Sequence, residues 1–145
     1  TIAASYAERQ SFNGSITYPG PSVTTFTSTY DTAYDTTPTL ASLAGTYTGQ
    51  AGSSAEGVQS ATVTVTATGA FTGVEADGCT FLGTASPRSR GNIFDQSVTF
   101  GEAPCEFPGN TLVGIAFLDV PNRRLYAAAP TANRTVAVIF SGTKP

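Results

Sequence analysis

The stretch "ATVTVTAT", residues 61–68, alternates small or β-branched apolar side chains with threonine at every step. Ala61, Val63, Val65 and Ala67 fall on one side, and Thr62, Thr64, Thr66 and Thr68 on the other. That period of two is the signature of an extended strand with one buried and one polar face. A helix would scatter the same residues around its circumference. Working outward, Gly69-Ala70 turns the chain and residues 71–75 run back, and Asp77-Gly78 is a second tight-turn signal leading into 79–85. Phe94, Gln96, Val98 and Phe100 share one face of a further strand. The Gly- and Pro-dense segment "GEAPCEFPGN" that follows is a loop. Residues 111–119, 124–129 and 135–143 complete the series on one side, and "LAGTYTG", residues 43–49, opens it on the other. "LASLAG" has room for one helical turn at most.

Eight short strands with brief connections predict an all-β fold, a single antiparallel meander closing into an up-and-down barrel. A two-sheet β-sandwich is the alternative, because strand spacing alone does not separate the two. The strands "TLVGIAFLD" and "RTVAVIFSG" are apolar on both faces, so something besides the inner core is expected to cover the second face. Residues 1–42 are the candidate. They are too rich in Tyr, Phe and Val for an inert linker, and "SITYPGPSVTTFTSTY" alternates around a Pro-Gly-Pro break, with a turn pair in "FNGS". The expected organisation is an N-terminal arm or extra strand over 1–42, partly ordered against the barrel, and a barrel domain over 43–145.

Composition narrows the function classes. The 145 residues carry only 12% charged side chains, a net charge of −3 and a single lysine, Lys144. No basic patch exists to neutralise phosphates, so nucleic acid is not an expected partner. No apolar run approaches the roughly 18 residues of a spanning helix, and no membrane span is expected. No signal peptide stands at Thr1, so an exported protein would begin here after processing. With no histidine, Ser-His-Asp and Cys-His arrangements cannot be assembled, and the commonest general base is missing. Glu75 with Asp77, or Glu102 with Glu106, are the nearest carboxylate pairs for acid–base work, but all four lie in turns, where solvated acids are ordinary. Asp31 and Asp35 lack the dense pattern of a calcium loop. No catalytic residue, metal or cofactor is expected, and the chain reads as a non-enzyme.

The two cysteines, Cys79 and Cys105, are 26 positions apart. That is too far for a CxxC redox motif, and a closed zinc site would need carboxylates for its other ligands. A structural disulfide is the expected pairing, and it implies an oxidising compartment: periplasm, outer membrane surface or medium.

The Gly-x-aromatic start "GTY" resembles the opening strand of the calycin group of eight-stranded barrels: lipocalins, avidins and bacterial metalloprotease inhibitors. "TGAFTG" at 68–73 is similar to an avidin hairpin. Those proteins place Trp where this chain has Tyr47, and in many of them a basic residue of the last strand covers the ring. The resemblance implies a structural clasp between Tyr47 and Arg134, which enters the final strand. A second resemblance covers about residues 40–144: "LAGTYTG", "GCTFLGTASPR", "NIFDQSVTFG", "PCEFPG", "GIAFLD" and "RLYAAA" look like a group of small bacterial exported proteins, many of them lipoproteins, of unassigned function. It implies an extracytoplasmic location and a lipid anchor, if any, upstream of this chain. The expected function is a non-enzymatic interaction module of the bacterial envelope, with an unknown protein or small-molecule partner and Arg123, Arg124 and Tyr126 as candidate interaction patch. The alternatives are a carrier of a small apolar ligand inside the barrel and a protease inhibitor acting through its N-terminal arm.

Overall fold

A computed structural model describes residues 1–145, which form two compact units, Thr1–Thr32 and Ala33–Pro145. The larger unit is a closed antiparallel barrel of eight strands: β4 (Gly45–Ser53), β5 (Gly57–Val65), β6 (Ala70–Glu75), β7 (Thr80–Pro87), β8 (Phe94–Phe100), β9 (Thr111–Asp119), β10 (Arg124–Pro130) and β11 (Ala137–Thr143). Each strand pairs with the next, and β11 closes on β4 through Ile139↔Gly52 to Thr143↔Thr48. Closure leaves no strand edge and decides between barrel and sandwich. One helical turn, α1 (Leu40–Leu43), precedes β4; the Thr39 hydroxyl caps it by accepting from the Ser42 amide at 3.1 Å.

The alternation read from the sequence is the alternation of burial as far as Val65, where β5 ends; Ala67, expected on the inner face, is exposed in the turn that Thr66 closes with Ala70. Ala61, Val63 and Val65 point into the barrel, while Thr62 and Thr64 face outward. Phe94, Val98 and Phe100 are buried from β8, Leu112, Ala116 and Leu118 from β9, and Leu125 and Ala129 from β10. Fully burying a side chain such as Phe94 or Leu118 stabilises the fold by about 1.5–3 kcal/mol. Large rings are admitted where the neighbouring strand has glycine. Phe71 lies opposite Gly83 and Phe81 opposite Gly73, and a Cβ on either glycine would fall within 2.4 Å of the facing ring.

The stretch expected as an arm carries more structure than one strand. Within Thr1–Thr32, β1 (Ile2–Ala7), β2 (Ser11–Thr17) and β3 (Val23–Phe26) make a three-stranded antiparallel sheet in the order β1-β2-β3. Register puts Ile2, Tyr6, Phe12, Ile16 and Phe26 on one face, where the rings of Phe12 and Phe26 are 5.1 Å apart. Asn13-Gly14, expected as a turn, instead lies inside β2; the Asn13 side chain accepts from the Ser28 amide at 3.0 Å. The turn comes earlier, where Arg9 takes a positive φ of 54°. No helix is long and apolar enough to cross a membrane.

Candidate functional site

Because the strands run alternately up and down, every second connection meets at the same rim. The β4–β5, β6–β7, β8–β9 and β10–β11 connections share one rim, which carries Glu56, Asp77, Glu102 and Glu106, with Glu75 at the end of β6. Arg134 is the only basic residue among them. The opposite rim, built from α1 and the β5–β6, β7–β8 and β9–β10 connections, carries Arg88, Arg90, Arg123, Arg124 and Lys144 against Asp95, which pairs with Arg88, and Asp119 at the end of β9. The barrel is therefore acidic at one mouth and basic at the other.

The basic rim is sealed. Leu43 and Asn92 are buried there, and the Asn92 side-chain amide donates to the Leu118 carbonyl at 2.9 Å. Tyr47 is fully buried and donates its hydroxyl to the Leu43 carbonyl at 2.7 Å, tying the first strand to α1. Burial pushes this phenol up to about 12. The cation over its ring is Lys144, whose Nζ lies 5.4 Å from the centroid and donates to the carbonyls of Ser42 (2.5 Å) and Ala44 (2.9 Å). Burial, and then the nearby Arg123 charge, hold this ammonium below the usual lysine range.

Arg134 is not brought to Tyr47. It occupies the β10–β11 turn with a φ of 57°, at the acidic rim, whereas Tyr47 is next to Thr48, the partner of Thr143. Six residues of β11 separate the two positions, on the order of 20 Å at strand rise. The aromatic–cation clasp thus exists with Lys144 in the place expected for Arg134.

The acidic rim is pinned by the Cys79–Cys105 disulfide, with Cα atoms 4.6 Å apart and both cysteines buried. It holds the β8–β9 loop so that Phe107 continues a ring ladder, Phe81–Phe100 at 5.9 Å and Phe100–Phe107 at 6.0 Å. Beside it opens a polar cavity of about 340 Å³ lined by Glu56, Glu75, Asp77 and Glu106 together with Phe100 and Phe107. Three of these acids are fixed by local bonds. Ser53 Oγ donates to Glu106 at 2.6 Å, Gln59 Nε2 donates to Glu75 at 2.8 Å, and Asp77 accepts from the Cys79 amide at 2.9 Å. Burial, followed by the Asp77 charge, raises the Glu75 pKa despite the Gln59 hydrogen bond. Desolvation, then Glu106 and Asp77, raises that of Glu56. Sequence spacing paired Glu75 with Asp77 and Glu102 with Glu106; the fold gathers Glu75, Asp77 and Glu106 with Glu56 and leaves Glu102 outside the lining. The signal that would have found Glu56 is its position in an alternate hairpin of the meander.

Below the mouth, an apolar cavity of about 60 Å³ lies inside the barrel among Ala51, Ala85, Ala116, Ala129 and Phe140. Ligand pockets generally run to about 300–1,000 Å³.

On the outer wall, Tyr126 of β10 stacks on Phe117 of β9 at 6.3 Å and carries the Arg124 guanidinium 5.7 Å above its ring. Arg123 sits apart, in the β9–β10 turn with a φ of 51°. The expected patch is thus assembled from Arg124 and Tyr126, and it grows by residues that the sequence reading left out. Val113 and Ile115 on β9 and Ile139 on β11 are 67%, 43% and 53% exposed, and register places Ile115 and Ile139 on either side of Ala128.

The fold and these surfaces define a disulfide-braced, eight-stranded antiparallel β-barrel. In comparison with known proteins, no family model matches the chain, and neither a curated protein nor a solved structure matches it.

Proposed function

We propose that this chain is a non-enzymatic binding module acting outside the cytoplasm, and that it meets a protein partner through the outer wall of β9–β11. The observation that carries this reading is the run of exposed Val113, Ile115, Tyr126 and Ile139 on three adjacent strands, with the half-buried Phe117 ring stacked against Tyr126. Contiguous exposed apolar surface with an aromatic–arginine centre is the composition of interface hot spots. The buried disulfide supports an oxidising compartment, whether periplasm, cell surface or medium. The likeness to small exported bacterial proteins supports the same location, and the ring of Tyr47 under a basic residue supports a calycin-like relationship.

A carrier of a sizeable apolar ligand is less well supported, because the interior cavity of about 60 Å³ holds only a few carbon atoms. Inhibition through the N-terminal arm is less well supported, because Thr1–Thr32 forms a three-stranded sheet of its own.

Photocrosslinking in the envelope of the producing cell tests the wall. A photoreactive residue at Ile115 or Tyr126 should give a discrete protein adduct, and one at Val74, on the far side of the barrel, should not. The adduct should vanish when Ile139→Lys is added without a change in melting temperature. Equal adducts from both walls, or none from either, would refute the proposal.

A further inference from the structure

The acidic mouth and the apolar cavity below it share three lining residues, Glu75, Phe100 and Val138. These residues form the boundary between two cavities, a polar one of about 340 Å³ above and a largely apolar one of about 60 Å³ beneath. Four carboxylates line the upper chamber and no basic side chain does. The lower one is walled by inward-facing alanines from β4, β7, β9 and β10, which leave its space unfilled. We propose that the two cavities open into each other and form one binding site for a small organic cation with a short apolar chain, the cation held among Glu56, Glu75, Asp77 and Glu106 and the chain inserted between the alanines.

The chemistry follows from the order of the chambers. A charge carried inward past Phe100 would lose its solvent and, once beyond Glu75 and Gln96, meet only hydrocarbon, which is costly. A cation that stops at the carboxylates keeps both its partners and its water, while the apolar tail leaves water. A lysine or arginine side chain from a protein would enter with its charge foremost, so the geometry favours a free amine or quaternary ammonium over a basic peptide. Volume sets the tail: about 60 Å³ is the space of roughly two water-sized groups, hence two or three carbons. The asymmetry of charge between the two rims directs cations to this mouth before contact. The site is independent of the outer wall, and its failure leaves the wall proposal standing.

Linear alkylammonium ions are the probes, titrated into the full chain while the backbone signals of Glu75, Phe100 and Val138 are followed by NMR. Saturable shifts are expected, with affinity rising about fourfold for each of the first two or three methylenes and no further after that. The alcohol and the carboxylate of the same chain length should bind at least about tenfold more weakly, the loss of one charge-assisted contact. Glu75→Gln combined with Glu106→Gln should weaken the ammonium about tenfold or more and leave the alcohol unchanged. Ala129→Val should remove the chain-length dependence while methylammonium binds as before, and a thermal melt of each variant confirms that it folds. Affinity independent of chain length would reduce the site to an acidic surface and overturn the proposal. So would an alcohol that binds as tightly as the ammonium, or shifts that never saturate.

Discussion

The ammonium of Lys144 lies over the ring of Tyr47, 5.4 Å from its centroid, and the hydroxyl of that ring reaches the Leu43 carbonyl at 2.7 Å. One basic residue after the last strand therefore secures both the first strand and the helical turn that seals the rim. Lys144→Met removes two hydrogen bonds and the cation–π contact and should cost about 1–2 kcal/mol, read as a fall of a few degrees in melting temperature. Tyr47→Phe leaves the Leu43 carbonyl without that partner and should cost a similar amount, about 1–2 kcal/mol. Arg134→Ala should change stability by less than about 0.5 kcal/mol, as a turn residue away from the core does. A loss at Arg134 equal to that at Lys144 would contradict the assignment.

The same tyrosine has a spectroscopic signature. Of the six tyrosines, one should ionise only near pH 12 in an absorbance titration of the folded protein. Its folded pKa is raised above the unfolded value near 10, so the folded state holds this proton longer. Its contribution to stability is complete below about pH 10 and is lost as pH rises towards 12. In Tyr47→Phe the late phase should be absent.

Cys79 and Cys105 close a loop of 26 residues that includes β7 and β8. Replacing both by alanine frees the unfolded chain and should lower stability by about 3–4 kcal/mol in denaturant unfolding. Denatured, unreduced protein should show no reactive thiol in a thiol titration; two reactive thiols would remove the bridge and the argument for an oxidising compartment together.

Glu75 gives stability a pH dependence of opposite sense to that of a salt-bridged acid. Its folded pKa is raised by burial and by Asp77, so the folded state binds its proton more readily than the unfolded chain. The penalty for the charged form is absent below the unfolded value of about 4.3 and grows as pH rises through the folded pKa. Glu75→Gln should therefore be more stable than the parent at pH 7 and equal to it near pH 3.5. A variant less stable at pH 7 would show that the Gln59 hydrogen bond outweighs burial.

Gly83 faces the Phe71 ring across the β6–β7 pair, and a Cβ there would lie 2.4 Å from the ring and 2.1 Å from the Ser97 carbonyl oxygen. Backbone cannot yield as a flexible side chain can. Gly83→Ala should destabilise by about 1–3 kcal/mol, the cost of overpacking, measured by thermal melting. Gly78→Ala is the contrast: nothing lies within 4 Å of its Cβ, and only its φ of 96° resists the change.

Strand existence, order and inward faces were legible in the chain because period two and turn chemistry are local. Val63 and Val65 alternate with threonines whatever surrounds them, and the Asp77-Gly78 turn needs only its own backbone. Eight such strands with short links favoured a barrel, but the choice against a sandwich rests on the pairing of β11 with β4; the disulfide followed from two cysteines with no histidine beside them. Asn13-Gly14 misled because neighbouring strands, rather than the pair itself, decide whether it turns. The partner of Tyr47, the gathering of Glu56, Glu75, Asp77 and Glu106, and the wall joining Ile115 to Ile139 belong to tertiary structure alone. They depend on which rim each connection reaches and on the register at which β11 closes on β4. A shift of two residues there would keep every side chain on its own face, leave the local pattern untouched, and still move Lys144 off the ring.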